Sequence, residues 1–273
     1  MKNLVGKHAV IMCVYNGDKV DDLSLAVQSI LEQTIKADLY IYIDGKINDA
    51  LEEYIQSVNN VKGITIFRGR ENKGLAFGLN YLIDFLVTQD YDFVSRMDSD
   101  DISLDNRLAL QENFLLSHPG IHVLGGYCSE FGSSYALQTK KVPVEHEDLI
   151  KFSILRCPFI HPTVMFRTEV FKDGWRYPLN TTFSEDLALW YNLLFNGYRF
   201  GNIPKVLLKY RINDATLNRR KGIKKAFSEL QLRFEYMSKM NLFSVKSVSL
   251  LLLKTIFHLM PLSVTKFFYK KIR

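Results

Sequence analysis

Residues 93–101 read FVSRMDSDD, five strand-forming and mostly apolar positions that run straight into three aspartates within four residues. A short apolar run bounded by a turn is a buried strand, so Asp98, Asp100 and Asp101 leave its carboxyl end together. Like charges crowded there repel unless water or a cation compensates them. A hard divalent ion, Mn²⁺ or Mg²⁺, completed by diphosphate oxygens and water, is one partner for such an oxygen-rich cluster. Acidic capping of the helix that follows at Arg107–Phe114 is the other reading of the same residues.

Upstream, the same rhythm recurs. His8–Tyr15 (HAVIMCVY) is an apolar run with β-branched residues, closed by Asn16-Gly17. Asp21-Asp22 then precede Leu23, Ala26, Val27, Ile30 and Leu31 at helical spacing, with the acids at the positive end of the helix dipole. Leu39–Ile43 is a second strand ending at Asp44-Gly45, followed by a helix over 49–58 and a third strand, Ile64–Arg68. A helix over 74–87 leads into the quoted stretch. This alternation predicts an α/β fold with a parallel sheet and helices on both faces. Ligands of open α/β sheets sit beyond the carboxyl ends of the strands, where Asn16, Asp44, Asn72 and the aspartate cluster all fall.

Downstream of a helix around 107–117 the pattern is less regular. Strand-rich stretches are expected at 123–131 and 138–144, a short strand at 163–166, a helix over 186–195, and an apolar strand at 206–208 that precedes Tyr210-Arg211. There is no internal repeat and no low-complexity linker. A length of 273 residues with 47% apolar composition suits one catalytic core, with or without an appendage.

Cys13, Cys128 and Cys157 are odd in number and widely spaced, suggesting neither a disulfide framework nor a zinc site. No signal-peptide apolar region follows the N-terminus, and the chain reads as cytoplasmic. The formal net charge is +6, unevenly placed: Glu235 is the last acidic residue, and Lys239, Lys246, Lys254, Lys266, Lys270, Lys271 and Arg273 follow it. The stretch 243–260 is strongly apolar but broken by Lys246, Lys254 and His258 and stopped by Pro261, and 264–273 repeats the theme. A spanning helix needs roughly 20 predominantly apolar residues, so these segments are expected to lie in a membrane surface or to pack on the core. The basic cluster Arg219, Arg220, Lys221, Lys224 and Lys225 adjoins this apolar region, and no nucleic-acid module accompanies it. The partner expected is therefore an anionic membrane surface and not nucleic acid.

Five motifs in order, VIMCVYNG (10–17), ENKGLA (71–76), RMDSDDI (96–102), HPTVMFR (161–167) and SEDLALW (184–190), resemble the family 2 glycosyltransferases over about residues 8–215. The resemblance implies a GT-A, or nucleotide-diphospho-sugar transferase, fold: a Rossmann-like mixed sheet flanked by helices. Residues 1–217 would form the catalytic domain, with a nucleotide-binding half over about 1–105 and an acceptor half over about 106–217. Residues 218–273 would form a basic, amphipathic helical extension that associates with the membrane.

The resemblance also implies roles. Asp98-Ser99-Asp100 corresponds to the DxD element, with Asp100 on the metal and Asp98 on the ribose or metal. Val14, Tyr15 and Asn16 match the first nucleotide-binding loop, and Asp44 the carboxylate at the uracil side of the donor. Here IDGK stands where DDGS is common, leaving one acid and adding Lys46, and Cys13 stands where proline is frequent. Asn72, Lys73 and Gly74, at a strand-to-helix junction, are phosphate candidates or a plain capped turn. Arg96 either pairs with an aspartate or reaches the donor, and Arg211 is a candidate diphosphate contact or a solvated arginine. On the acceptor side, Glu185-Asp186 by composition are helix-capping acids. The resemblance instead makes Asp186 the general base of a single inverting displacement, with Glu185 beside it. His161, before Pro162, either lies near the acceptor or the diphosphate or is a structural histidine ahead of a strand. Trp190 and Trp175 are read as packing residues.

The expected donor is a nucleotide sugar, UDP-linked, and the expected acceptor a lipid-diphosphate-linked glycan of an O-antigen, capsule or exopolysaccharide, met at the inner face of the cell membrane. No QxxRW motif is present, which favours one sugar added per encounter. Two rivals remain at this stage: a phosphatase using the first aspartate of a DxD motif as nucleophile, and a non-catalytic membrane-associated assembly subunit. Oligomeric state has no signal in the sequence.

Overall fold

A computed structural model of the chain describes residues 6–181, 184–213 and 223–259. Strands β1 (His8–Val14), β2 (Ala37–Ile43), β3 (Ile64–Arg68) and β4 (Phe93–Asp98) lie in the order β3-β2-β1-β4, all parallel. Helices α1 (Val20–Leu31), α2 (Asp49–Val58) and α3 (Leu75–Leu86) make the connections. The strands are apolar throughout because both faces are covered. Ala9, Ile11, Tyr40 and Tyr42 share one core with the α3 residues Leu79, Leu82, Ile83 and Leu86. Val10, Met12, Val14, Leu39 and Ile41 share the other with Leu23, Val27 and Ile30 of α1 and Leu51 and Ile55 of α2. The two sets alternate along each strand, as a period of two requires.

The parallel order ends at β4. Strand β7 (Met165–Arg167) pairs antiparallel with β4 on one side and with β6 (Val123–Phe131) on the other, and β6 runs parallel to β8 (Phe200–Arg211). The two-residue β5 (Ile102–Ser103) closes the eight-stranded sheet, antiparallel to β8. The architecture is thus a mixed sheet of GT-A type. The all-parallel sheet expected from the alternation alone holds for β3-β2-β1-β4 and stops where β7 enters antiparallel to both β4 and β6.

Three further expectations are corrected. Residues 138–144 form no strand; only Lys140 bridges to Cys128, and Pro143 cannot donate to a ladder. The start of the 163–166 segment is a turn of 3₁₀ helix (His161–Thr163), where the Thr163 hydroxyl donates to the Ile160 carbonyl at 2.7 Å, so β7 begins at Met165. The strand expected at 206–208 is the middle of the twelve-residue β8, whose pairing with β6 jumps from Ile203 to Val206 around Pro204. A bulge is where a strand tolerates a residue with no amide hydrogen.

Helices α4 (Arg107–Ser117), α5 (His146–Ser153), α6 (Glu169–Lys172) and α7 (Glu185–Phe195) accompany the second half of the sheet. The fully buried Arg107 donates to the Arg96 carbonyl at 2.9 Å and to the Gln111 side chain at 3.0 Å. Gln111 in turn donates to the carbonyls of Leu124 and Thr163 at 3.0 and 2.9 Å. This polar plug joins β4, β6 and the 3₁₀ turn.

At the C-terminus, α8 (Ile223–Lys239) packs on this half. Its buried Arg233 donates to the carbonyls of Ser153 and Ile154 at 2.7 and 2.9 Å and pairs with Glu229, while Tyr236 stacks on Tyr191 at 4.0 Å. Helix α9 (Val245–Leu259) lies on α8 through buried Leu251 and a Lys254–Glu229 ion pair. It leaves Val245, Leu250, Leu252 and Leu253 exposed. No helix among the described residues is long and apolar enough to cross a membrane. The segment 264–273 and the cations Arg219, Arg220 and Lys221 lie outside the described residues.

Candidate active site

Asp98 is the last residue of β4, in register with Cys13 of β1. The chain then turns through Ser99, Asp100 and Asp101 before β5 catches the edge of β8. Carboxylate oxygens of Asp98, Asp100 and Asp101 all lie within 4.8 Å of one another. Asp101 is fully buried; its Oδ1 accepts the Arg211 backbone amide at 2.7 Å, and its Oδ2 has no hydrogen-bond partner among the described residues. Burial, then the charges of Asp98 and Asp100, push the Asp101 carboxyl well above the usual carboxylate range. A buried, partnerless carboxylate oxygen beside two further carboxylates is a hard oxygen donor set, and it fits a divalent cation. The resemblance assigned Asp98 and Asp100 to the metal; in the fold Asp101, part of the same acidic window, is the buried member of the cluster.

Arg96, 3% exposed, forms an ion pair with Asp98. Its Nε and Nη1 have no hydrogen-bond partner among the described residues. Arg211 is held on several sides: its guanidinium donates to the Asp100 carbonyl at 2.9 Å, pairs with Asp22 of α1 at 2.9 Å, and lies 4.4 Å from the Phe131 ring centroid. Here it frames the aspartate turn.

On the nucleotide side, the end of β2 is stitched to the start of α3. The Val14 carbonyl accepts the Asp44 amide at 2.8 Å. The two carboxylate oxygens of Asp44 accept the backbone amides of Lys73 and Gly74, each at 2.8 Å. Gly45 has φ +82°, and a β-carbon there would meet the Asn72 nitrogen at 2.6 Å, so only glycine permits this approach. Asp44 therefore takes the helix-terminal amides that the sequence offered to phosphate. The Lys73 ammonium pairs with Glu71 at 3.2 Å, and Asn72 is exposed. Tyr15 is exposed, its amide donating to Asp18 at 3.0 Å, and the Asn16 carbonyl accepts from the Asn48 side chain at 3.4 Å.

On the other side, Glu185 and Asp186 open α7. Asp186 Oδ1 accepts the Leu187 amide at 2.7 Å, and Oδ2 accepts from the Cys157 thiol at 3.5 Å. His161 Nε2 is 2.9 Å from the Tyr177 hydroxyl, and its ring meets Trp190 edge-on at 5.9 Å. Burial, then the Arg96 charge, hold the imidazole well below its usual range, so it is neutral. Trp190 is fully buried in the core and Trp175 meets Tyr198 edge-on, both as packing residues.

Tyr177, Asn80 and Cys157 were not legible as site residues. Tyr177 is fully buried, and burial pushes its hydroxyl far above the usual range, so it stays protonated. Its main chain is clamped by Asn80 of α3, which donates to its carbonyl and accepts its amide, both at 2.8 Å. The helix gripped at its start by Asp44 thus also grips the loop leading to Asp186. The donor-side and acceptor-side candidates form one connected framework.

The family model for glycosyl transferase family 2 matches residues 9–227. The chain is 34% identical over 271 residues to the UDP-Gal:alpha-D-GlcNAc-diphosphoundecaprenol beta-1,3-galactosyltransferase of Escherichia coli, covering 97% of this chain and 96% of that one. It is 29% identical over 267 residues to the amylovoran biosynthesis glycosyltransferase AmsE of Erwinia amylovora, covering 97% and 98%. Among solved structures, residues 1–349 of S. aureus TarS in complex with UDP-GlcNAc superpose with a TM-score of 0.64 at 16% identity, over 98% of this chain and 76% of that one. The mannosyltransferase PcManGT from Pyrobaculum calidifontis in complex with GDP-Man and Mn²⁺ gives 0.61 at 14% identity, over 98% and 85%. At such identities these two structures show a shared fold.

Proposed function

Because the chain belongs to glycosyl transferase family 2 and is a glycosyltransferase, we propose that it transfers a sugar, with inversion, from a UDP-linked donor to a hydroxyl of a lipid-diphosphate-linked glycan in bacterial surface polysaccharide assembly. The observation that carries this reading is the Asp98–Asp100–Asp101 cluster at the end of β4, whose carboxylate oxygens lie within 4.8 Å of one another, in a chain whose Glu185-Asp186 pair opens α7. The donor and acceptor classes draw on the E. coli relative, whose name states a UDP-galactose donor and a diphosphoundecaprenol-linked acceptor. The phosphatase rival required its motif on the first strand, whereas here it ends β4.

Asp98, Asp100 and Asp101 would hold Mn²⁺ or Mg²⁺, which supplies neutralisation of the charge that builds on the leaving diphosphate. The chain's own groups do the rest. Val14, Tyr15, Asn16 and the Asp44-linked loop at Asn72–Gly74 shape the nucleotide side. Arg96 and Arg211 brace the aspartate turn. Asp186 accepts the proton of the acceptor hydroxyl as that oxygen attacks the anomeric carbon from the face opposite the diphosphate. Neutral His161, hydrogen-bonded to Tyr177, lines the acceptor side together with Glu185.

The test is a panel of UDP-galactose, UDP-glucose and their N-acetyl forms with a synthetic lipid-diphosphate GlcNAc acceptor, each with Mn²⁺, Mg²⁺ or EDTA, read by mass spectrometry. Metal-dependent product with one donor is expected, and Asp186→Asn should lower kcat by about 10²- to 10⁴-fold with donor binding retained. Full transfer by that variant would remove Asp186 from the base role.

A lipid-linked acceptor places the enzyme at a membrane surface, peripheral on the cytoplasmic face. The exposed leucines of α9 and the basic C-terminal sequence suit an anionic lipid surface. Substituting Leu252 and Leu253 by Gln should release the protein from phosphatidylglycerol vesicles in a sedimentation assay; unchanged pelleting would remove α9 from this role.

A further inference from the structure

We propose that Cys157 is a positioning residue for the Asp186 carboxylate, an inference that rests on the reading of Asp186 as the general base. The Cys157 thiol reaches Asp186 Oδ2 at 3.5 Å, within the range of a sulfur donor, while the Leu187 amide holds Oδ1 at 2.7 Å. With one donor on each oxygen, the plane of the carboxylate is fixed. Each oxygen keeps a second acceptor position for an incoming hydroxyl. Without the thiol, only the adjacent backbone amide would orient the group.

The direction of the thiol hydrogen follows from its surroundings. An ionised carboxylate can only accept, so the thiol hydrogen points at Asp186 Oδ2. Burial, then the negative charge of Asp186, push the thiol far above its ordinary range, so it keeps its proton and acts as a donor throughout the working pH range. The segment that presents it is well braced. Just upstream, Arg233 of α8 grips the Ser153 and Ile154 carbonyls. Just downstream, the Asn202 side chain donates to the Pro158 carbonyl at 3.2 Å, and the Gly126 amide donates to Thr163 Oγ1 at 3.1 Å. All three cysteines are free, so no disulfide competes for the sulfur.

A thiol is a weak donor, so its loss should be felt as misorientation rather than as loss of the base. The experiment compares Cys157→Ala, Cys157→Ser and Asp186→Asn by steady-state UDP release, using whichever of UDP-galactose, UDP-glucose and their N-acetyl forms turns over fastest. Cys157→Ala should lower kcat by about fivefold with donor KM unchanged. It should also move the acid limb of the kcat–pH profile upward, because a carboxylate that loses a donor is protonated more easily. Cys157→Ser should restore kcat and move the limb below the wild-type position, because a hydroxyl is the stronger donor. If Cys157→Ala does not fold, the serine variant decides alone: its stronger hydroxyl donor should lower the limb. A wild-type kcat and acid limb in Cys157→Ala, or an unmoved limb in Cys157→Ser should the alanine variant not fold, with Asp186→Asn inactive, overturns the positioning role. Full activity of Asp186→Asn overturns the base assignment instead.

Discussion

The backbone amide of Arg211, at the end of β8, donates to Asp101 Oδ1 at 2.7 Å, so a residue 110 positions away secures one oxygen of the buried carboxylate. The other, Oδ2, has no partner among the described residues, and the carboxylates of Asp98 and Asp100 lie close to that of Asp101. Such an oxygen suits a cation, and on the proposed function Asp101 should matter as much as the two aspartates of the DxD element.

Asp101→Asn keeps the shape and the Arg211 contact but removes the charge. Its metal-dependent affinity for UDP should fall by roughly 10- to 100-fold, the scale on which groups supporting a metal act. Titration of UDP with and without Mn²⁺ by calorimetry measures it. An unchanged Mn²⁺ increment would show that Asp101 only braces the turn.

Asp44 ties two backbone amides at the N-terminus of α3, so its removal should destabilise the protein with no ligand present. Asp44→Ala leaves the Lys73 and Gly74 amides without their acceptor and should cost about 1–3 kcal/mol in urea unfolding. A carboxylate that served only the nucleotide base would leave the ligand-free stability alone.

Arg233 is a buried charge shared between Glu229 and the Ser153 and Ile154 carbonyls. Arg233→Met should destabilise by about 1–3 kcal/mol, because it leaves the Ser153 and Ile154 carbonyls without their donor while Lys254 still pairs with Glu229. It should also loosen α8, and limited proteolysis within the segment between β8 and α8 would detect this. Wild-type resistance and stability would mean that α8 is held by its apolar face alone.

His161 supplies a pH dependence whose sign follows from its environment. Its folded-state pKa lies well below the ordinary 6.5, through burial and then the Arg96 charge. As pH falls through about 6.5 the unfolded chain takes up a proton there and the folded chain does not, so stability declines below that point and is unaffected above it. His161→Gln should reduce the slope of stability against pH by up to about 1.4 kcal/mol per unit between pH 6.5 and 5. Identical slopes would show that the folded protein charges this ring.

What could be read directly was whatever sits within one turn or one strand of its own signal. The apolar runs at β1 to β4, the glycine and asparagine stops after them and the acids at Asp98–Asp101 are contiguous, so the strand-helix rhythm and the acidic cluster follow from local sequence. The same holds for Glu185-Asp186 opening α7. In each case the informative residues are neighbours along the chain, and the period of the pattern reports which face is buried.

The rest was decided by packing between distant segments. Tyr177 lies in a loop with no periodicity, and its partners His161 and Asn80 are 16 and 97 residues away. Asp44 carries no mark that it will cap a helix 29 residues on, nor Arg233 that it will bind carbonyls 80 residues earlier. The antiparallel entry of β7 cannot be told from a parallel one by composition, since both bury the same side chains. By itself, then, the chain's sequence determined the strand-helix order from β1 to β4, the acidic cluster and the acids that open α7. Tertiary structure alone decided which groups hold those residues in place, because a hydrogen bond between remote segments leaves no trace in the local pattern of either one.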